Sequence, residues 1–172
     1  AGSRGLFYAR TTTTANITYE IWSTDGTEAG TMKIAESLTT PTAGAAVAGG
    51  KIVFGSSLQG NAIKVIISDG TAEGTSILQN ASTDPNTAFY PRHFVTSGGK
   101  AFLIADTPLW LSDTPTWSPA LWITDGTEAG TLKLRQLAGA VSDNSILAIV
   151  SNNGGGVYLS GTISHYSRIL YS

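Results

Sequence analysis

Three short segments of this 172-residue chain set carboxylates, hydroxyls and glycines at one repeated spacing. Residues 24–31 and 124–131 both read Thr-Asp-Gly-Thr-Glu-Ala-Gly-Thr, and residues 68–75 read Ser-Asp-Gly-Thr-Ala-Glu-Gly-Thr. Each offers two carboxylates: Asp25 with Glu28, Asp69 with Glu73, Asp125 with Glu128. One chemistry open to them is calcium binding, which takes about six to eight oxygen ligands from a compact loop. The dense Asp/Asn alternation of a calcium loop is missing. The favoured reading is a self-capping turn. The Asp accepts hydrogen bonds from N–H groups a few residues on. Gly26, Gly30, Gly70, Gly74, Gly126 and Gly130 suit positive φ, and Thr27 and Thr31 cap loose N–H groups. On that reading the turns hold no metal and no cofactor.

A second set of residues lies on the segment 106–119, an insertion of about twelve residues by comparison with the other copies. It carries Trp110, Trp117, Asp106 and Asp113 with three prolines, and reads as a long loop. Ordered long loops are often functional. The tryptophans can stack on a sugar ring or anchor a partner subunit, with the two Asp bonding sugar hydroxyls. Equally, both rings can fold back over the protein. The only histidines, His93 and His165, have no metal-ligand spacing. No nucleophile elbow occurs, no phosphate-binding loop occurs, and Gly154-Gly155-Gly156 reads as a hairpin turn. Paired acids for glycoside hydrolysis, if assembled across repeats, leave no mark in linear spacing. No catalytic residue is expected. Asn16-Ile17-Thr18 and Asn80-Ala81-Ser82 match the glycosylation triplet, and residues 8–16 form a Thr-rich solvated connection.

Composition narrows the partners. Charged residues make up 13% of the chain, about half the usual share, and the net charge is −2 with no basic cluster, which argues against nucleic acid. There is no cysteine, so neither disulfides nor thiolate metal sites are available. No apolar run reaches the roughly 18 residues of a spanning helix, so no membrane insertion is expected. Thr, Ser, Gly and Ala fill the gap left by charge, a composition common at cell surfaces. Ala1 is read as the mature end left by signal-peptide removal.

What positions these residues is a repeat. Asp25, Asp69 and Asp125 follow one another at 44 and 56 residues, and periods near 40–50 belong to propeller blades or helical pairs. The flanking segments are short, alternating and β-branched, which selects strands. A strand precedes each motif (19–23, 64–67, 121–123) and another follows it (31–35, 75–79, 131–135). Upstream lies a strand at 5–9, 51–55 or 100–104, usually entered from a Gly-Gly turn, and before that turn one at 45–48, 93–96 or 146–151. Strands 157–160 and 167–171 start a fourth, partial copy. The expected fold is all-β: one domain, 1–172, with copies at about 1–40, 41–88, 89–140 and 141–172 and strands in the order three, four, four, three. The motif is the turn between the third and fourth strands, C and D. Trp22 and Trp122, at one position of strand C, are expected between neighbouring sheets.

The runs Glu20-Ile21-Trp22-Ser23-Thr24-Asp25-Gly26-Thr27-Glu28-Ala29-Gly30-Thr31 and Ala120-Leu121-Trp122-Ile123-Thr124-Asp125-Gly126-Thr127-Glu128-Ala129-Gly130-Thr131 resemble a bacterial repeat family. Its consensus is Glu-Leu-Trp-x-x-Asp-Gly-Thr-x-x-Gly-Thr. The middle copy departs from it, with Ile66 for the Trp and Ala72-Glu73 inverted. The resemblance covers nearly the whole chain. It implies a β-propeller-like array of about 3.5 four-stranded blades in secreted or surface-attached bacterial proteins, without catalytic residues. More distantly, the motif is similar to the structural Asp-box turn of sialidase-type propellers. The expected partners are then further copies of the chain or the remainder of a longer one: a fragment of a larger propeller, two chains completing a seven-blade ring, or a filament joined at open strands. A glycan is the competing partner.

Overall fold

The computed structural model describes residues 4–12, 17–37, 40–42, 44–58, 63–78, 89–110, 115–137, 146–152, 154–163 and 167–171; within these, side chains are described except for 107–110, 115–117, 146–147, 161–163 and 167–171. Among the described residues there are fourteen strands and no helix. The first sheet holds β1 (Gly5–Thr12), β2 (Ile17–Thr24) and β3 (Met32–Ser37). The second holds β4 (Ala45–Ala48), β5 (Lys51–Ser56), β6 (Lys64–Ser68) and β7 (Ser76–Ile77). The third holds β8 (Tyr90–Ser97), β9 (Lys100–Trp110), β10 (Pro115–Thr124) and β11 (Leu132–Gln136). The fourth holds β12 (Ile146–Ser151), β13 (Val157–Ile163) and β14 (Ser167–Tyr171). Every sheet is an antiparallel meander in chain order, so the expected division of strands into three, four, four and three is the one found.

Successive sheets bury their faces on one another. Ile21 and Ile34 of the first sheet pack with Phe54 and Ile66 of the second. The alternate side chains of the second, Ala46, Val53, Val65 and Ile67, pack with Ala101, Leu103, Ala120 and Trp122 of the third. The third then presents Ile104 and Leu121 to Leu159 and Ile149 of the fourth. The second sheet is covered on both sides. That is why β6 reads as an unbroken buried run, Lys64-Val65-Ile66-Ile67-Ser68, where a one-sided strand would alternate. By contrast β11, at an edge, is exposed over most of its length.

Strands β4, β8 and β12 also meet along one edge of the stack. The Thr96 hydroxyl accepts a bond from the Val47 N–H (2.7 Å) and donates to the Val47 carbonyl (3.2 Å). The Ser151 and Ser97 hydroxyls lie 2.9 Å apart, and the Gly49 N–H reaches the Gly99 carbonyl. The first strand of each of these sheets therefore faces its counterpart in the next.

The segment 106–119, expected as a loop, is instead a lengthened hairpin. Its strands pair through Pro119↔Asp106, Trp117↔Pro108 and Pro115↔Trp110, with residues 111–114 outside the described set. Proline normally breaks a ladder because it has no N–H. Here all three prolines fall at every second pair, one hydrogen-bonding class of the antiparallel ladder. In the non-bonded class the N–H groups point away from the partner strand, and a proline there removes no bond between the two strands.

Trp122 is buried and meets Phe89 edge-on at 5.0 Å. Its indole Nε1 has no hydrogen-bond partner among the described residues. The equivalent Trp22 donates to Glu20 (3.1 Å), whose place in the third sheet is taken by Ala120. Trp122→Ala is expected to lower stability by about 3–5 kcal/mol through loss of packed volume. Trp122→Phe also removes the unsatisfied donor and is expected to lose less than half as much, both read from urea unfolding midpoints.

Candidate functional site

The three motif turns share one hydrogen-bond network. In the first, Asp25 Oδ1 accepts the Thr27 N–H (3.0 Å) and the Thr27 hydroxyl (2.7 Å). Thr27 Oγ1 accepts the Gly30 N–H (2.9 Å), and the Thr31 hydroxyl lies 2.6 Å from the Thr27 carbonyl. Thr24 Oγ1 accepts the Gly26 N–H (3.0 Å) and stands 2.7 Å from Thr31 Oγ1. A hydroxyl has one proton, and that of Thr31 goes to the carbonyl; the Thr24 hydroxyl is therefore the donor to Thr31. Thus each of the three hydroxyls donates once and accepts once. The pattern recurs at Ser68, Asp69, Thr71, Gly74 and Thr75 and at Thr124, Asp125, Thr127, Gly130 and Thr131.

This network explains the composition of the motif. The first position needs only a hydroxyl, so Ser68 serves as well as Thr24. Residue 72 contributes only its backbone carbonyl, which accepts the Thr75 N–H as Glu28 and Glu128 do in the other copies, so exchanging the side chains of 72 and 73 leaves the turn intact. Gly26, Gly70 and Gly126 adopt φ of 92°, 93° and 90°, as expected. Gly30, Gly74 and Gly130 do not have positive φ, which corrects the expectation for them. Their side is filled by the motif carboxylate, and a Cβ there would fall on Asp25, Asp69 or Asp125. Thr31 differs too, since its hydroxyl satisfies a carbonyl and not an N–H.

The carboxylates are held ionised. Each motif Asp lies below the usual carboxylate range, first because of the bonds from the hydroxyl and N–H of its own Thr, and to a smaller degree because of a nearby cation. The cations are Arg4, Lys51 and Lys100. All three stand one residue before the strand partner of the motif's first residue. Reading by motif alone misses them; the visible signal is Gly-Gly-Lys at 49–51 and 98–100.

The left-handed glycines also let sheets approach. A Cβ on Gly126 would stand 2.9 Å from the Ala48 carbonyl oxygen of the second sheet, and one on Gly70 would stand 2.8 Å from Arg4 Cδ. Arg4 ties this seam together, donating to Ser23 Oγ and to the Gly30 carbonyl, both at 2.8 Å. Gly26 is the exception, with nothing within 4 Å of its Cβ position.

The other candidates separate. Both carboxylate oxygens of Asp106 are bound by Arg92, at 2.5 and 3.0 Å, in a largely buried pair. Asp106 thus anchors β8 to β9, each of its carboxylate oxygens accepting from Arg92. Trp110 lies opposite Pro115 and Trp117 opposite Pro108 along the hairpin. Asp113, and the side chains of Trp110 and Trp117, lie outside the described residues. No group of three metal-ligating side chains occurs among the described residues, and no helix there is long and apolar enough to cross a membrane. Among known proteins, no family model, curated protein or solved structure matches this chain.

Because the folded carboxyls titrate below their unfolded values, the stability they contribute is complete above about pH 4 and is lost as pH falls through the folded pKa. Replacing all three by Asn keeps an acceptor oxygen but removes the charge. The urea midpoint of that variant is expected to lie below wild type at pH 7 and to fall less steeply on acidification. A second expectation concerns Asp106→Ala, which removes the carboxylate that pairs with the largely buried Arg92 guanidinium and should lower stability by on the order of 3 kcal/mol, read from the same unfolding curves.

Proposed function

We propose that this chain is a non-enzymatic structural module, a propeller-like array of blades that associates with copies of itself in a secreted or surface-exposed bacterial protein. The observation that carries this reading is the use of the motif. Every hydroxyl of the repeated turn is spent inside the turn, and the left-handed glycine of two of the three copies seats against the preceding sheet. The residues that repeat therefore build and join sheets. The meeting of β4, β8 and β12 along one edge supports a radial arrangement, since propeller blades converge on their first strands. The composition and the resemblance to the bacterial repeat family support the surface setting. Large apolar side chains left exposed on the first and fourth sheets, Phe7, Met32, Val150 and Tyr158, support self-association.

A second reading, an adhesin-like module that binds glycan or protein, is favoured by the β9–β10 hairpin. Its first strand runs for eleven residues, against six for β5, and it carries Trp110 and Trp117. Light scattering on native material separates the two. The structural reading expects a mass of two chains or more without added ligand. A single-chain mass, together with sugar-dependent quenching of tryptophan fluorescence that Trp110→Ala abolishes, is the outcome expected of the binding module.

A further inference from the structure

We propose that copies join tail to head, the outer face of the fourth sheet of one chain seating on the outer face of the first sheet of the next. This rests on the self-association proposed above and names its two surfaces. The argument comes from the seams already present inside the chain. Trp122 of the third sheet is covered by the second, where it packs among Val53, Val65 and Ile67 with Phe89 against its ring. Gly126, at the turn of the same sheet, lies against the Ala48 carbonyl. The first sheet has the same two features. Trp22 stands at the same register position, stacked at 6.2 Å on its strand partner Phe7. Phe7 is 41% exposed, and Gly26 has open space where Gly126 has a neighbour. The first sheet therefore carries the receiving half of a seam whose other half is not among the described residues.

What fills such a half-seam elsewhere in the chain is the face of another sheet. The fourth sheet has one to offer. Leu159 and Ile149 turn toward the third sheet. Their alternates Tyr158 and Val150 are strand partners of each other and are 44% and 52% exposed. In a strand, alternation puts that pair on the opposite face. Among the described residues no strand of the first sheet makes an extended contact with a strand of the fourth, so the two faces do not cover each other within one chain. The two surfaces are different, one aromatic stack and one Val–Tyr pair, so the contact is heterologous. Each copy presents one of each, and the assembly extends or closes into a ring. Contact between two apolar sheet faces also fits the manner in which the four sheets already bury one another.

The test uses Phe7→Glu, which blocks the receiving face, and Tyr158→Glu, which blocks the donating face. Both side chains are exposed, and the fold of each variant is checked by far-ultraviolet circular dichroism and urea midpoint. If Phe7→Glu unfolds, Gly26→Asn replaces it; asparagine tolerates positive φ and projects into the same seat. Molar mass is then measured for wild type, for each variant alone and for their equimolar mixture. The expected result is two chains or more for wild type, one chain for each variant, and two chains and no more for the mixture, because only one compatible pair of faces survives. A wild type that assembles while either variant alone still associates, or while the mixture stays at one chain, overturns the assignment of faces and leaves self-association standing. A wild type of one chain at all concentrations overturns both.

Discussion

The turn at Asp25 depends on a single carboxylate oxygen. Asp25 Oδ1 fixes both the N–H and the hydroxyl of Thr27, and that hydroxyl in turn fixes Gly30. Because each hydroxyl has one proton, the direction of the whole relay follows, from Thr24 through Thr31 to the Thr27 carbonyl. A turn closed this way needs no core of its own and no ligand. It holds the C and D strands together at the point where chain entropy would otherwise open the hairpin. It also presents a glycine with no Cβ to the outside. The same eight residues thus close one sheet and leave room for the next.

Sheet stacking follows from that room. A four-stranded sheet has two faces and cannot bury either alone. In this chain the faces are apolar on both sides wherever a neighbour exists, as in β6, and the contact brings the motif turns of the second and third sheets against the preceding sheet. Gly126 against Ala48 and Gly70 against Arg4 are two versions of one joint. The second is reinforced by a guanidinium that reaches Ser23 and Gly30, a device available because Arg4 sits at the register position that Lys51 and Lys100 occupy in the other sheets. Within the motif, hydroxyls, carboxylates and glycines hold backbone.

The hairpin β9–β10 shows a different solution. Its prolines are spaced so that the missing N–H groups fall in one class of ladder pair, which lets an insertion grow as strand. At its base the Arg92–Asp106 pair joins β8 to β9.

The sequence by itself determined the local structure. The β-branched alternation, the Gly-Gly turns and the thrice-repeated octapeptide specify strands, their antiparallel order and the turn that Asp25, Asp69 and Asp125 cap, because all of these rest on contacts within a few residues. Three things could be read only from the folded structure. Gly30, Gly74 and Gly130 are glycine because a carboxylate five residues earlier folds back onto them, not because of their own φ. Asp106 is committed to Arg92 by the pairing of β8 with β9. Trp22 and Trp122, at the same position before the repeated octapeptide, differ in burial because among the described residues one sheet has a neighbour on that side and the other does not. No pattern of residues along the chain carries that last fact, since it belongs to the stacking of sheets.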